Sequence, residues 1–157
     1  MIQAGERIYR EAGGAGPERA AIVFVSASAE DARAFRDIAD GSRWLVVNIP
    51  DLTGARAVIG KLHPRLVVCD TEIEGQGSWR DLLRGQDSRP SFGLIVISPH
   101  ADEALRAEVL GSGGIDVFKK PLVSKDTEGV IGLILANATH RVRGAPRREG
   151  RAAARGR

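Results

Sequence analysis

Five short apolar runs constrain the fold of this chain more than any other feature. They recur every 20-odd residues along the body of the sequence, and each is continuous rather than alternating with polar residues. Continuous runs of this length are typical of strands that are buried on both faces of a parallel sheet. The runs are AIVFV (21–25), WLVVNI (44–49), RLVVC (65–69), GLIVI (93–97) and IDVF (115–118).

The segments between these runs have the apolar spacing of helices. Residues 29–40 and 51–62 each place their apolar side chains on one helical face, and the second segment ends at His63-Pro64. Shorter helices are predicted around residues 79–83 and 105–109, and a longer one begins near Ser124. A strand followed by a helix, five times over, predicts an α/β fold: a (βα)₅ three-layer sandwich around a parallel five-stranded sheet.

Length and cysteine usage limit the class of protein. A chain of 157 residues suggests one domain, which we expect over residues 20–140, with a flexible leader over 1–19. Cys69 is the single cysteine, which excludes a disulfide framework and any cysteine-based zinc site. The first residues carry charges where a signal peptide needs an apolar core, and no apolar run approaches the roughly 18 residues of a membrane helix. We therefore expect a cytoplasmic protein without a membrane anchor.

The basic charge of the chain is concentrated at its end. Residues 141–157 hold seven arginines and one glutamate, a net charge of +6, so the rest carries −3 against +3 for the whole chain. This segment lacks apolar periodicity and is rich in Gly, Ala, Pro and Arg, which predicts a disordered tail. Such a tail could contact nucleic acid weakly. We favour a solvated tail and expect no nucleic-acid partner, because no aromatic residue is interleaved for base stacking.

Chemically useful side chains follow several of the predicted strands. Ser26 follows the first run, Asp70 the third, Ser98 the fourth and Lys120 the fifth. Functional sites in open parallel sheets form beyond the carboxyl ends of the strands. Taken singly, Asp70 could be a helix cap, Ser98 a turn residue and Lys120 a solvated lysine. Together they predict a site in which a carboxylate, a hydroxyl and an ammonium converge.

The region 20–140 resembles the receiver domain of two-component response regulators. Asp70, Ser98 in LIVIS and the Lys120-Pro121 step of GGIDVFKKPL carry the resemblance. It implies a CheY-like sheet of strand order 2-1-3-4-5. It also implies that Asp70 is the phosphoacceptor, that Ser98 senses the phosphoryl group, and that Lys120 pairs with the carboxylate and the phosphate. The Lys-Pro bond is usually cis in that family.

The expected metal pocket departs from the family. Receiver domains normally place two acidic residues after the first strand to hold Mg²⁺, whereas this chain has Ser26 and Ala27. Asp70 can supply one carboxylate, and the backbone carbonyl of Glu72 another oxygen. Mg²⁺ is therefore possible but doubtful, and bound weakly at best.

Three further positions bear on the switch. Glu30 and Asp31 follow the missing pair, and we attribute them to the favourable dipole at a helix N-terminus. The position in the fifth strand that is usually aromatic is Val117, and Glu74 stands where many members have proline. The phosphoacceptor group is retained, while the metal pocket and the aromatic switch are not.

The sequence thus predicts a single-domain receiver in phosphorelay signal transduction, not an enzyme, with weak or non-standard phosphorylation of Asp70. Its partners would be a histidine kinase or phosphotransfer protein and a protein effector. The effector would bind at the face of the fourth helix, fifth strand and fifth helix. The alternative is a pseudo-receiver, a protein-interaction module that does not need phosphate. A small-molecule binder of the flavodoxin type is a weaker third hypothesis, because Trp79 is the one aromatic residue near the expected site edge.

Overall fold

The computed structural model describes residues 20–41, 44–84 and 91–143. Within these ranges strands and helices alternate five times, and their bounds lie close to the predicted ones. They are β1 (Ala20–Val25), α1 (Ala29–Asp40), β2 (Trp44–Ile49), α2 (Leu52–Leu62), β3 (Leu66–Asp70), α3 (Trp79–Leu83), β4 (Gly93–Ser98), α4 (Glu103–Gly111), β5 (Asp116–Lys119) and α5 (Ser124–Arg143).

The five strands form one parallel sheet in the order β2-β1-β3-β4-β5. The predicted fold class and strand order are confirmed. β3 pairs with β1 on one side and with β4 on the other, so its last residue, Asp70, lies opposite Ile97 in the middle of the sheet. At the next pairing, Ser98 of β4 lies opposite Lys119 of β5. The residues that end β3, β4 and β5 therefore meet at one sheet edge.

Two apolar clusters cover the two faces of the sheet. Side chains alternate along β1, so that Ile22 and Phe24 face α1 and α5, whereas Val23 and Val25 face α2, α3 and α4. Phe24 stacks on Phe35 of α1 with ring centroids 4.6 Å apart. Full burial of one such side chain contributes about 1.5–3 kcal/mol. The amphipathic helices predicted from sequence thus cover both faces of an almost wholly apolar sheet.

Side-chain caps fix where several helices start. Ser28, Asp51 and Asp102 each accept a hydrogen bond from a backbone amide three residues ahead, and Ser78 forms a capping box with Asp81. These caps satisfy amides that have no partner within the helix. Because each helix follows a strand, its capped N-terminus lies beside the carboxyl ends of the strands.

The predicted leader and the predicted tail lie largely outside the residues that the structure describes. The predicted leader, 1–19, and most of the predicted tail, 144–157, lie outside the described residues, and α5 extends to Arg143, three residues beyond the predicted boundary. In the described part of the chain, no helix combines the length and apolarity that crossing a membrane requires.

Candidate functional site

Asp70 lies at the centre of the site as the last residue of β3, and it is fully buried. Its Oδ2 accepts hydrogen bonds from Ser26 Oγ at 2.8 Å and from Lys120 Nζ at 2.5 Å. Its Oδ1 accepts one from the amide of Glu72 at 3.0 Å. A buried carboxylate is tolerable only with such partners. The three donors come from the ends of three strands, so the fold itself supplies them.

Lys120 follows β5 and reaches back over the sheet edge. Its amide donates to the carbonyl of Ser98 at 3.0 Å, and the Lys120-Pro121 peptide bond is cis, as the resemblance implied. Besides Asp70, its ammonium contacts Asp31 Oδ2 at 2.7 Å, and its side chain is only 11% exposed. Burial lowers the pKa of Lys120, but its hydrogen bonds to Asp31 and then Asp70 outweigh burial and raise the pKa overall. Lys120 is therefore a charged, doubly paired lysine.

Asp31 is a member of the site that the sequence interpretation missed. It lies in the first turn of α1, and its amide donates to the capping hydroxyl of Ser28 at 3.1 Å. Attributing it to the helix dipole is incomplete, because its carboxylate also forms an ion pair with Lys120. One signal was available: three residues separate the end of β1 from the start of α1, so the first turn of α1 must lie at the same edge as Asp70.

Ser26 lies where the resemblance predicted the first acidic residue. Its hydroxyl donates a hydrogen bond to Asp70 and accepts one from the backbone amide of Ser28 at 3.1 Å. Ser26 is 2% exposed. Ser26 therefore stabilises the charged form of Asp70, whereas an acidic residue there would repel it. Ala27, the second replaced position, is exposed and has no side-chain oxygen.

Ser98 ends β4 and is buried beside the site. The hydrogen bond resolved for its hydroxyl is with the amide of His100, at 3.1 Å. No contact within the described residues joins this hydroxyl to Asp70. The role of Ser98 as a phosphate sensor stays a prediction, although its strand position places it next to Lys120 and one pairing from Asp70.

The arrangement does not fit a bound Mg²⁺. Mg²⁺ requires near-octahedral oxygen ligands at about 2.0–2.1 Å and is usually held by one or two carboxylates with several waters. The two carboxylates available, Asp31 and Asp70, converge instead on the ammonium of Lys120. Glu72 donates its backbone amide to Asp70 Oδ1, and the role of its carbonyl as a metal ligand stays a prediction. Among the described residues, no group of three or more His, Cys, Asp or Glu could hold a metal ion.

Three further residues that bear on the function of the site, Cys69, Val117 and Trp79, are buried. Cys69 is fully buried, and burial first, then the nearby Asp70 charge, raises the pKa of its thiol to about 12. The predicted core role of Cys69 agrees with this burial. Val117 is also buried, and Trp79 is only 1% exposed. Trp79 therefore offers no exposed ring for stacking a flavin-type ligand at this edge.

The loop after β3 is held to the adjacent strand end. Glu74 forms an isolated bridge with Asp51, and its amide donates to the carbonyl of Pro50 at 3.0 Å. The chain therefore turns across the sheet edge before α3 begins. This pairing explains how a residue other than proline at position 74 can still fix the course of the loop.

No family model and no curated protein matches this chain. Solved structures do. A signal receiver domain from Vibrio parahaemolyticus has a TM-score of 0.72 at 18% identity, with 78% of this chain and 95% of that chain covered. A CheY-like receiver domain protein from Methanospirillum hungatei JF-1 has a TM-score of 0.70 at 16% identity, covering 79% and 99%.

A third similar structure is the BeF3-activated N-terminal receiver domain of RstA from Klebsiella pneumoniae. Its TM-score is 0.63 at 24% identity, and 73% of this chain and 97% of that chain are covered. Each solved domain is thus matched over nearly its whole length. The chain has the CheY-like fold of response regulator receiver domains.

Proposed function

We propose that this chain is a receiver module of two-component signal transduction in which Asp70 accepts a phosphoryl group slowly or by a non-standard route. One observation carries the proposal: a buried aspartate at the carboxyl end of the central strand is paired at 2.5 Å with the lysine that follows β5. A histidine kinase or phosphotransfer protein would be the donor. The module accepts a group and does not turn over a substrate, and we place it in the cytoplasm.

The proposed chemistry needs one nucleophile and one counter-charge. A carboxylate oxygen of Asp70 would attack the phosphorus of a phosphohistidine or acyl phosphate. A new O–P bond forms, the bond from phosphorus to the donor breaks, and the donor leaves with the electron pair. By analogy with other phosphoresidues, the product would carry a charge of roughly −1.5 to −2. Lys120 is the positive charge in contact with the acceptor.

Two features of the site support slow modification. Both oxygens of Asp70 already accept hydrogen bonds, which lowers the nucleophilicity of the carboxylate. Asp31, Asp70 and Lys120 together carry a net charge of −1, which disfavours an incoming phosphate. Two unit charges about 4 Å apart interact by about 4 kcal/mol at an effective dielectric of 20.

The second candidate is a phosphorylation-independent interaction module. The three hydrogen bonds to the buried Asp70 favour it, because a hydrogen-bonded carboxylate is stable in the fold without modification. In either case we propose that output passes to a protein effector at the face of α4, β5 and α5. Three exposed large apolar residues belong to this part of the chain, namely Leu110 of α4, Val123 just before α5 and Leu133 of α5.

Intact-mass measurement after incubation with acetyl phosphate and Mg²⁺ tests the choice. We expect slow, partial addition of one phosphoryl group to the natural sequence and none to Asp70→Asn. The double substitution Ser26→Asp and Ala27→Asp restores the acidic pair and should speed the addition. Rapid stoichiometric addition to the natural sequence would contradict the slow-acceptor proposal. No addition from any donor or kinase, with partner binding unchanged in Asp70→Asn, would establish the interaction module instead.

A further inference from the structure

Two carboxylates converge on one ammonium at the sheet edge. Asp70 Oδ2 lies 2.5 Å and Asp31 Oδ2 lies 2.7 Å from Nζ of Lys120. All three side chains are shielded, with exposures of 0% for Asp70, 15% for Asp31 and 11% for Lys120. Two oxygens at such distances from a single centre resemble part of the coordination sphere of a divalent cation, whose oxygen ligands lie about 2.0–2.6 Å away.

We propose that the ammonium of Lys120 is the resident cation of this site, that it excludes divalent metal ions, and that Asp31 is the positioning residue that holds it there. The significance of this role of Lys120 for signalling rests on the proposed function. The exchange of cations can nevertheless be measured without any phosphodonor, so a failure of phosphorylation leaves its test intact.

The contacts of Lys120 explain why its single positive charge can take the place of a metal ion in this site. Lys120 is anchored from its backbone, because its amide donates to Ser98, and its side chain is held between two carboxylates from α1 and β3. Ser26 supplies a further donor to Asp70, so the carboxylate needs no second cation. A metal ion entering here would meet the positive charge of Lys120 at short range, where electrostatic repulsion is strong.

Removing the ammonium should reverse this preference. The two Oδ2 atoms both lie within 2.7 Å of Nζ and are therefore at most about 5 Å apart, a distance at which two unpaired carboxylates repel strongly. A divalent cation can relieve that repulsion by binding both oxygens. The Lys120→Met variant keeps most of the side-chain length without the charge, so it should gain the metal binding that the natural protein lacks.

The test is a titration with Mn²⁺, followed through the electron paramagnetic resonance signal of the free ion. We expect Lys120→Met to bind one Mn²⁺ at least about tenfold more tightly than the natural sequence. The matched control is Lys119→Met, which removes the same charge from the neighbouring exposed position and should leave binding unchanged. Adding Asp31→Asn to Lys120→Met should abolish the gain, because one of the two ligands is lost.

Two results would overturn the proposal. One is Mn²⁺ binding to the natural sequence that disappears in Asp70→Asn, since the site would then hold a metal despite the ammonium. The other is a folded Lys120→Met variant with no gain. If Lys120→Met does not fold alone, the proposal requires that folding be restored either by adding Asp31→Asn or by adding Mn²⁺. If neither restores folding, the resident-cation role of Lys120 is contradicted.

Discussion

Two of the sites in the described part of the chain where acidic and basic side chains pair differ in their surroundings. Lys120 joins Asp31 and Asp70 at the sheet edge, where the side chains are 15% exposed or less. Arg80 of α3 joins Glu108 of α4 on the surface, where the side chains are 43% and 41% exposed. The second pair is bidentate, and the Arg80 guanidinium also lies 4.7 Å from the ring centroid of Trp79.

The comparison leads us to expect that burial, rather than the number of contacts, decides how much an ion pair contributes to stability. Removing one partner of a buried pair leaves an uncompensated charge away from water, which is strongly destabilising. Exposed pairs contribute little, because water and salt screen them. We therefore expect the Lys120 cluster to determine stability and chemistry, and the Arg80–Glu108 pair to act as a modest link between α3 and α4.

The largest expected effect is from Lys120→Met. It should lower the free energy of unfolding by about 3 kcal/mol, because it leaves Asp70 and Asp31 without their shared cation. Urea unfolding in the presence of a chelator measures this change. Lys119→Met is the control and should change stability by less than about 0.5 kcal/mol. Equal effects for the two lysines would remove the distinction between the buried cluster and the surface.

A second effect should appear at alkaline pH next to the same cluster. The pKa of Cys69 is raised from 9.0 to about 12 in the folded protein, so its neutral form is favoured by folding. The contribution of Cys69 to the free energy of unfolding is complete below pH 9. It is lost as pH rises, at up to about 1.4 kcal/mol per pH unit until about pH 12. Unfolding measured from pH 8 to 11 should show this loss.

Lys120 adds to the alkaline loss, because its pKa is also raised in the fold and its contribution is present below its ordinary value of 10.5. Cys69→Ala separates the two groups: the decline should then begin only above about pH 10.5. A thiol reagent should also modify native Cys69 only as fast as the protein opens. An unchanged pH profile in Cys69→Ala would show that the thiol does not contribute.

The third effect concerns Ser26. Ser26→Ala removes the hydroxyl donor from the buried Asp70 and should cost about 1–2 kcal/mol of stability. In the Asp70→Asn background the cost should be smaller, because the bond no longer goes to a charged acceptor. A double-mutant cycle by urea unfolding measures this coupling. Equal costs in both backgrounds would mean that Ser26 acts through its bond to Ser28 alone.

The smallest expected effect is at the exposed pair. The hydrogen bond from Arg80 lowers the pKa of Glu108, so the pair's contribution is present above the ordinary carboxyl pKa and is lost as pH falls through the lowered value. Glu108→Gln should shift the urea midpoint little at neutral pH. The shift should vanish at about 1 M salt, where the Debye length is about 3 Å. If Glu108→Gln still lowers the urea midpoint at high salt, the Arg80–Glu108 pair behaves like the buried Lys120 cluster and the comparison fails.

Much of the fold could be predicted from local patterns. The predicted helix 29–40 coincides with α1, and β1 differs from the predicted run by one residue, because apolar runs and helical spacing reflect burial that each segment keeps in the fold. The apolar run of β3 ends at Cys69, and the strand ends at Asp70, as predicted. Asp70 pairs with Ile97 of the neighbouring strand.

The sequence by itself determined the α/β class, and the resemblance carried by Asp70, Ser98 and Lys120 predicted which strand ends would meet. Only the tertiary structure decided how their charges are shared. Ser26 donates to Asp70 across 44 positions of chain, and Lys120 reaches it across 50. Asp31 has a sufficient local explanation as an acidic residue in the first turn of α1, so the sequence could place it at this edge but could not identify its partner. Its pairing with Lys120 exists because the parallel sheet brings the start of α1 and the end of β5 to the same edge, where a buried ammonium needs a counter-charge.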